Sequence, residues 1–439
     1  MFSFFNSAFY DFELTRILGS TRAGGCDVAE FLEAVGKIRR HDPESWYTAW
    51  NELSLRAEQI GHEAAQCGYS AAARNAYLRA SNYARACGYM LHFRDARVLE
   101  QAERSVSLFR GAIPFMEGRV LVLDVPYEGG VSLPGYLYLP GPSKKFPNGK
   151  TPVMINCAGA DATQEELYYL FPAAGVELGY AVLTFEGPGQ GMMLKRERTA
   201  LRPDFENITA QVVSHLHRLD HEHQRSDEPL NLDLDRIVVA GGSLGAYYAL
   251  RSSIDSHIKA CVAVDPFYSL WDVALTRMPA WYAWLWTSGW LPDSVFNASV
   301  NMQIATSFPV RWEFGLGMSM MGTETPAQTL RRFQAFSLNV SNGDGSPILE
   351  RIRCPVMLTG ASRSIYSSAQ DGTLTIYNNL SQVPDNCKEV WIPDELGSGG
   401  LTAKVGAWAL LAQKSFQFLD KHLGIQRIVK ASEAPMEGQ

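Results

Sequence analysis

The chain has 439 residues, enough for two domains, of which 46% are hydrophobic and 19% charged. The formal net charge is −7 and no basic stripe is visible, which argues against a nucleic-acid partner. The N-terminus lacks a positively charged segment, and the longest strongly apolar stretch, residues 278–291, is too short to cross a bilayer. We therefore expect neither a signal peptide nor a membrane partner.

The cysteines and histidines show no pattern of a metal site. The seven cysteines are dispersed and form no Cys-x-x-Cys pair. In a long chain this predicts free thiols in a reducing, cytoplasmic compartment. The nine histidines show no metal-like pairing with cysteines, and those at 214–224 lie in a polar stretch typical of a solvated helix end. Neither a metal nor another cofactor is expected.

The first part of the chain, to about residue 110, has the pattern of helices. Apolar residues recur at three-and-four spacing over residues 27–40, 43–68 and 69–92. Small side chains in the last of these segments favour closely packed antiparallel helices. We assign residues 1–117 to an N-terminal helical domain and residues 118–439 to a second domain.

From about residue 118 the pattern changes to strands. Two alternating segments, 119–127 and 133–140, are joined by a Gly-Gly turn and predict a hairpin. Short apolar segments follow at 152–158, 180–186, 236–241, 259–265, 355–360 and 389–394. Most are separated by stretches long enough for a helix, which predicts an α/β fold with a mostly parallel sheet covered on both faces. The long interval before residue 355 predicts a helical cap inserted at about 266–340.

One predicted strand-to-helix junction carries a nucleophile motif. Residues 241–245, Gly-Gly-Ser-Leu-Gly, match G-x-S-x-G, a strained turn that presents a serine at the start of a helix. Ser243 is therefore the candidate catalytic serine, and the main-chain N–H of Leu244 is a candidate oxyanion donor. The alternative is a glycine-rich turn in which the serine is incidental.

The loop after the third predicted strand is expected to supply the second oxyanion donor. The main-chain N–H groups of Gly159 and Ala160 are the candidates, and Asp161 is interpreted as a helix cap. The glycine-rich stretch at 186–191 lacks the spacing of a phosphate-binding loop and is interpreted as a turn at the carboxyl edge of the sheet.

Six segments, in order along nearly the whole chain, carry a family resemblance: SWYTAWNELSLRAE, SAAARNAYLRASNYARACGYMLH, NCAGADATQEELYY, GYAVLTFEGPGQG, LRPDFE and GGSLGAYYALRS. With them the chain resembles fungal α/β-hydrolases of secondary-metabolite gene clusters, the group of the fusarin-type and cytochalasan-type hydrolases. It is similar more distantly to FrsA-like esterases, polyketide-shortening hydrolases of pigment synthesis and 2,6-dihydropseudooxynicotine hydrolase. The resemblance implies an α/β-hydrolase fold with an eight-stranded sheet, a helical domain over the active site and a substrate derived from a polyketide.

The chain departs from that family at the other two positions of the catalytic triad. Where the family pattern has an acid, this sequence has Arg363, and where it has a histidine, this sequence has Thr402. His422 lies farther on, inside the predicted terminal helix. Asp371 and Asp265 are possible displaced acids, but neither replaces the base. The sequence therefore predicts a degenerate triad.

Tryptophans are concentrated in the predicted cap. Five of the ten fall between residues 271 and 290. Flat, rigid rings suit the burial of an apolar, polyunsaturated substrate, so we expect Trp281, Trp284, Trp286 and Trp290 to line the pocket. The alternative is that they form the small core of the cap.

Three functions remain open at this point. The first is a non-hydrolytic cyclase, isomerase or lyase that acts on a small polyketide-derived molecule and uses Ser243 as a hydrogen-bond donor. The second is a serine hydrolase of an ester, thioester or C–C bond, with a base recruited from the helical domain, His92 or His41. The third is a binding protein without turnover. A homodimer is an open expectation.

Overall fold

The computed structural model describes residues 3–147, 149–339, 341–342 and 346–427. The N-terminal region is helical, as α1 (Ala8–Gly19), α2 (Val28–Lys37), α3 (Pro43–Gln66), α4 (Ser70–Tyr89) and α5 (Ala96–Ala112). Aspartates cap three of these helices: the carboxylates of Asp27, Asp42 and Asp95 each accept main-chain N–H groups of the first turn that follows.

Helix α1 was not indicated by the sequence. Its buried side includes the carboxylates of Asp11 and Glu13 beside aromatic and aliphatic residues. Acids on the buried face break the apolar periodicity by which a helix is recognised. The predicted helices at 27–40, 43–68 and 69–92 correspond to α2, α3 and α4.

After α5 the chain changes to a sheet. Its strands are β1 (Val120–Pro126), β2 (Ser132–Tyr138), β3 (Thr151–Cys157), β4 (Ala181–Phe185), β5 (Leu232–Gly242), β6 (Ile258–Val264), β9 (Val356–Thr359) and β10 (Lys388–Trp391), and β7 (Ser341–Asn342) pairs with β8 (Ser346–Pro347) in a separate ladder. The order across the main sheet is β1-β2-β4-β3-β5-β6-β9-β10. Strand β2 is antiparallel to both neighbours, whereas the other pairs are parallel. This confirms the predicted α/β-hydrolase fold.

Helices connect the strands and cover the sheet. They are α6 (Gln164–Leu167), α7 (Pro172–Glu177), α8 (Gly191–Lys195), α9 (Phe205–His223), α10 (Leu244–Ser252), α16 (Thr375–Asn379) and α17 (Trp408–Leu423). Between β6 and β7 lie α11 (Leu270–Leu275), α12 (Ala280–Thr287), α13 (Asp293–Thr306), α14 (Phe308–Met321) and α15 (Pro326–Phe333). These five helices fall in the segment for which a cap was predicted. Residue 340, its expected end, lies outside the described residues, as do 1–2 and 428–439 of the two predicted domains.

Separate apolar cores lie on the two faces of the sheet and among the N-terminal helices. Strands β3 to β6 and β9 are buried on both faces, against α9 and α10 on one side and α7 and α17 on the other. The N-terminal helices form a core around Trp46, Trp50 and Tyr83, which extends to Tyr136 and Tyr138 of β2. Side chains of α14 also pack against that core. The N-terminal helices therefore contact both the sheet and the cap.

Among the described helices, none combines the length and hydropathy that crossing a membrane requires. All seven cysteines have free thiols, and only that of Cys67 is fully exposed.

Candidate active site

Ser243 lies in a strained turn between β5 and α10. Its backbone has φ 56° and ψ −117°, and its main-chain N–H donates a hydrogen bond of 2.9 Å to the carbonyl of Val264 at the end of β6. A residue other than glycine with positive φ costs about 1–3 kcal/mol, which surrounding structure must offset. The geometry matches the elbow that G-x-S-x-G predicts.

The glycines of the motif are required by steric contact with backbone. A Cβ atom on Gly241 would lie 2.3 Å from the carbonyl oxygen of Gly245. A Cβ atom on Gly245 would lie 2.4 Å from the carbonyl oxygen of Cys157, the last residue of β3. The spacing of the motif therefore brings the start of α10 against the neighbouring strand.

The loop that follows β3 lies next to the elbow. A Cβ on Gly159 would be 3.5 Å from the carbonyl oxygen of Gly242. The amide of Gln190 donates to the carbonyls of Ala158 (2.7 Å) and Gly159 (3.0 Å) and holds the loop in place. That the N–H groups of Leu244, Gly159 and Ala160 bind an oxyanion stays a prediction.

The two positions at which the sequence predicts a degenerate triad lie on loops that contact each other. The main-chain N–H of Arg363 donates to the carbonyl of Gly400 (3.0 Å), and the hydroxyl of Thr402 donates to that of Ser364 (3.1 Å). The side chain of Arg363 is exposed, whereas Thr402 is buried. Neither side chain forms a hydrogen bond with Ser243 in the described part of the chain.

The residue against the elbow is Ala403, one position beyond the predicted one. Its Cβ lies 3.5 Å from the point where a Cβ of Gly242 would be. Ala403 and Lys404 both have φ 54°, so the backbone turns sharply here. The side chain of Ala403, which lies next to this glycine of the elbow, is a methyl group that can accept no proton.

A buried ion pair occupies the carboxyl ends of β6 and β9. Lys404 Nζ lies 2.7 Å from Asp265 Oδ1 and 2.9 Å from the carbonyl oxygen of Gly360. The hydroxyl of Thr359 donates to the same Asp265 oxygen at 2.6 Å. Burial lowers the pKa of Lys404, and Asp265 partly opposes this. Asp265 is thus committed to a lysine. Lys404, two positions after Thr402 in the same loop, is a site residue that the sequence analysis missed.

The recruited bases considered from the sequence have other partners. His41 Nε2 lies 3.1 Å from the hydroxyl of Ser7, and its ring stacks on Phe308. His92 Nδ1 lies 3.2 Å from the main-chain N of Arg94. Burial lowers the pKa of both imidazoles. No histidine is hydrogen-bonded to the elbow serine within the residues that the structure describes.

The other displaced candidates are also engaged elsewhere. The carboxylate of Asp371 accepts a hydrogen bond of 2.6 Å from Ser368 at the start of a short π-helical turn. The ring of His422 packs on Phe418 within α17.

A cavity of about 160 Å³ lies between the N-terminal helices, the loop after β3, α8 and the cap helix α14. Its walls are largely apolar, with Met90, Leu194 and Trp312 among them. Its polar lining includes Arg85, Tyr89, Gln101, Asp161 and Lys195. Ala160 also lines it, so the predicted oxyanion loop borders the cavity, but Ser243 does not.

An ionic network closes one wall of this cavity. Arg16 of α1 contacts Asp161 at 2.6 Å and also pairs with Glu166, and the hydroxyl of Tyr89 donates to Asp161 at 2.5 Å. Burial alone would raise the pKa of Asp161, but Arg16 and Tyr89 hold it at about 2. Burial raises the pKa of Glu13, the third acid of the network, to about 7. No group of three His, Cys, Asp or Glu residues in the described ranges is arranged to bind a metal.

The interpretation of Asp161 as a helix cap was wrong. Thr163 caps α6, since its hydroxyl accepts from the main-chain N–H of Glu166. Asp161 is held away from the helix because the cationic side chain of Arg16, on a helix distant in sequence, is the stronger partner.

Lys195 is the second site residue that the sequence analysis missed. It ends α8, directly after the turn predicted at 186–191, and lines the cavity. Burial lowers the pKa of Lys195, although Glu186, Asp161 and Glu165 act against this. Among the described residues it has no ion pair or hydrogen bond. A single lysine in an apolar Met-Met-Leu-Lys stretch was the available signal.

The structure places the four predicted tryptophans elsewhere than expected. Trp286 is fully buried in the core of the cap, where its ring stacks on Phe296 at 4.0 Å and its indole N–H donates to Asp293. Trp281, Trp284 and Trp290 are 66%, 59% and 76% exposed. Trp281 and Trp284 lie one turn apart on one side of α12 and Trp286 lies on the other, so the first two face outward when Trp286 faces the core. None of the four lines the cavity described above.

The tryptophan that lines the cavity is Trp312 of α14. Its indole N–H donates to the carbonyl of Tyr89 at 2.7 Å, and its ring packs on Phe9 with centroids 4.7 Å apart. It therefore joins the cap to the N-terminal helices.

Comparison with known proteins is consistent with this geometry. A family model described as the alpha/beta hydrolase family matches residues 153–387. The chain therefore belongs to the α/β-hydrolase family. It is 50% identical over 429 residues to the alpha/beta hydrolase xenA of Xenoacremonium sinensis, and the aligned part covers 97% of this chain and 99% of that relative. It is 43% identical over 434 residues to the hydrolyase ccsE of Aspergillus clavatus, covering 97% and 98%. Its relatives are fungal α/β-hydrolases of secondary metabolism.

A solved structure shares the fold over nearly the whole chain. The crystal structure of 2,6-dihydroxy-pseudo-oxynicotine hydrolase superposes with a TM-score of 0.70 at 19% identity, covering 94% of this chain and 97% of that one. The N-terminal helical region is thus part of the shared architecture.

Proposed function

We propose that this protein is a non-hydrolytic enzyme, a cyclase, isomerase or lyase, that acts on a small polyketide-derived molecule of fungal secondary metabolism. The observation that carries the proposal is that, in the described residues, no histidine is hydrogen-bonded to the elbow serine, Ser243. Ala403 stands against the turn of Ser243, and the acid that follows β6, Asp265, is paired with Lys404. Within the described residues, the elbow thus keeps its strained turn while no histidine is hydrogen-bonded to Ser243.

The chemistry of acyl transfer explains why this loss matters. A serine hydroxyl is a weak nucleophile unless an adjacent base removes its proton. Loss of a triad member costs orders of magnitude in rate and leaves the contributions of the oxyanion hole and of binding. Neither the methyl of Ala403 nor the hydroxyl of Thr402 accepts a proton near neutral pH.

What remains suits reactions that need no acyl-enzyme. Hydrogen-bond donors at the elbow and in the loop after β3 stabilise negative charge that develops on a carbonyl oxygen. Enolate formation and aldol-type closure require this stabilisation together with a folded substrate in a dry cavity. The name hydrolyase, carried by relatives in Aspergillus clavatus and Penicillium oxalicum, is that of a lyase and supports the same class.

One observation favours the alternative, a serine hydrolase with a recruited base. The elbow keeps its strained backbone and both glycines, although strain is costly to retain. Of the two bases considered from the sequence, His92 lines the cavity.

A fluorophosphonate probe distinguishes the two functions, because it labels only an activated serine. We expect labelling of Ser243 to be very slow, with Ser243→Ala as the blank and p-nitrophenyl acetate hydrolysis as a second readout. Rapid, stoichiometric labelling of Ser243 would overturn the proposal and establish the hydrolase.

A gain-of-function pair sharpens this test. Ala403→His places an imidazole against the elbow, and histidine tolerates the positive φ of this position better than most residues. Thr402→His with Arg363→Asp restores the positions expected from the sequence. We expect faster probe labelling from Ala403→His than from the Thr402→His variant, because Ala403 is the residue that contacts the elbow.

A further inference from the structure

The cavity between the N-terminal helices and the hydrolase core contains an amine without a partner. Lys195 reaches it from the end of α8, between Leu194 and the cap helix. Within the described ranges no carboxylate lies within ion-pair distance of its Nζ, and no group accepts a hydrogen bond from it. Lys404, the fully buried lysine discussed above, has both kinds of partner.

Two more polar groups in the cavity wall lack partners. Nη1 and Nη2 of Arg85 form no hydrogen bond in the described residues, and the only ion-pair contact of this guanidinium is with Glu166 at 3.5 Å. The side-chain oxygen of Gln101 is likewise buried without a donor. Buried polar atoms are normally hydrogen-bonded, so orphaned atoms around one cavity indicate a polar ligand group there.

Burial, and not the surrounding charge, favours the neutral form of Lys195. Burial is the largest influence and lowers its pKa, and the positive charge of Arg85 acts in the same direction. Three acids oppose it, Glu186, Asp161 and Glu165. Asp161 is compensated by Arg16 and Tyr89, and burial raises the pKa of both Glu165 and Glu186. The acids that could hold Lys195 protonated are therefore partly neutralised.

We propose that Lys195 is a reactive amine that condenses with a carbonyl group of a β-dicarbonyl compound, whose second carbonyl oxygen faces the positive charge of Arg85. The inference deepens the proposed function and rests on it for the substrate class, a polyketide-derived carbonyl compound. The apolar walls of Leu194, Met90 and Trp312 would hold the hydrocarbon part of this compound.

The reaction is a reversible dehydration. The nitrogen of neutral Lys195 bonds to the carbonyl carbon, and the carbonyl oxygen leaves as water with the two hydrogens of the amine. The resulting imine tautomerises when a proton moves from the carbon between the two carbonyl positions to nitrogen, which gives an enaminone. In a substrate, the same imine withdraws electrons and acidifies the adjacent carbon, as a carbon–carbon bond-forming or isomerising step requires.

The test uses acetylacetone, a small β-diketone, on the full chain. Formation of an enaminone gives a near-ultraviolet absorption band and a mass gain of one diketone less one water. We expect one addition per chain, located at Lys195 by peptide mapping. It should form faster than at an exposed lysine, since a lowered pKa gives more neutral amine near pH 7.

Matched variants separate the possible outcomes. Lys195→Met and Lys195→Arg should lose the adduct, and Lys145→Met, at an exposed lysine, should keep it. Thermal melting checks that each variant folds, and peptide mapping of the unmodified chain gives the answer independently of any variant. An adduct at Lys404, or one spread over exposed lysines, would overturn the inference.

Fluorophosphonate labelling of the same samples distinguishes this inference from the proposed function. Absence of the adduct together with an unreactive Ser243 contradicts the role of Lys195 and leaves the non-hydrolytic function in place. Rapid labelling of Ser243 contradicts the proposed function, whereas the adduct at Lys195 reports on the amine alone.

Discussion

The elbow region contains a fully buried lysine, Lys404, and the cavity a half-buried one, Lys195, and the two have different partners. At the elbow, Lys404 is fully buried and bonded to Asp265 and to a carbonyl oxygen. In the cavity, Lys195 lies among apolar and polar side chains and has no ion pair or hydrogen bond among the described residues. Burial lowers the pKa of both amines, but only the first has a carboxylate at bonding distance. A paired lysine is a structural element, whereas an unpaired one remains available for chemistry.

The contrast extends to the acids nearby. Asp265 of the elbow region accepts from Lys404 and Thr359, so its charge is compensated within the hydrolase core. Asp161 of the cavity is compensated by Arg16 and Tyr89, which belong to the N-terminal helices. The helical region thus supplies the electrostatics of the cavity, and the core keeps a closed, charge-neutral elbow.

The largest expected difference between the two lysines is in the free energy of unfolding after each is replaced. Lys404→Met leaves Asp265 buried and unpaired and should lower the free energy of unfolding by about 3–5 kcal/mol. Lys195→Met removes an amine without a partner and should change it by no more than about 0.5 kcal/mol. Urea denaturation of both variants measures the difference. Equal losses would show that Lys195 has a structural role.

The double variant Lys404→Met with Asp265→Asn is the control for the first effect. It removes both charges, so much of the lost stability should return if the unpaired carboxylate is the cause.

The tryptophans of the cap provide a second contrast. Trp312→Ala removes a ring that packs between α14 and the N-terminal helices and should cost about 2 kcal/mol or more. Trp284→Ala, at an exposed position of α12, should stay within about 0.5 kcal/mol. Thermal or urea unfolding measures both. A large effect at Trp284 would indicate that α12 is covered by a partner, such as a second copy of the chain.

Replacement of the elbow serine should have a smaller effect on the reaction. If Ser243 is a hydrogen-bond donor, Ser243→Ala should reduce turnover by about tenfold, or about 1 kcal/mol. It should leave adduct formation at Lys195 unchanged, since Ser243 does not line the cavity. A loss of several orders of magnitude in turnover would identify the serine as a nucleophile.

The smallest expected effect is on the pH dependence of enaminone formation, which reports the pKa of Lys195. Lys195 has a lowered pKa, so it loses its proton at a lower pH than an exposed lysine does. The rate of enaminone formation at Lys195 should therefore rise with pH and level off at a lower pH than the ordinary lysine value would give. Rates measured from neutral to alkaline pH, with the Lys195→Met background subtracted, give the midpoint. A midpoint at the ordinary lysine value would show that the cavity does not perturb the amine.

The sequence predicted the architecture well because its signals are local. Short apolar segments separated by helical stretches indicated a parallel sheet, and G-x-S-x-G indicated the turn of Ser243. Part of the requirement for glycine in that motif is local, because a side chain on Gly241 would clash with the main chain of Gly245, four residues later. Helix α1 was not found, because buried acids interrupt its apolar pattern.

The sequence also predicted that the histidine and acid of a triad are missing, but it could not give the residues that lie near the elbow instead. Thr402 was the expected position, whereas the sharp backbone turn at Ala403 and Lys404 brings Ala403 to the elbow and Lys404 to Asp265. Such a turn is decided by contacts with strands far away in the chain.

What the sequence by itself determined was the fold, the family and the elbow, since each depends on neighbours in the chain or on long ordered segments. What only the tertiary structure decided was which side chains share a cavity. Arg16 and Tyr89 meet Asp161 across more than seventy residues of chain, and Lys195 is left among them without a partner. The pairing of buried charges depends on distances in space, and no local pattern of residues encodes them.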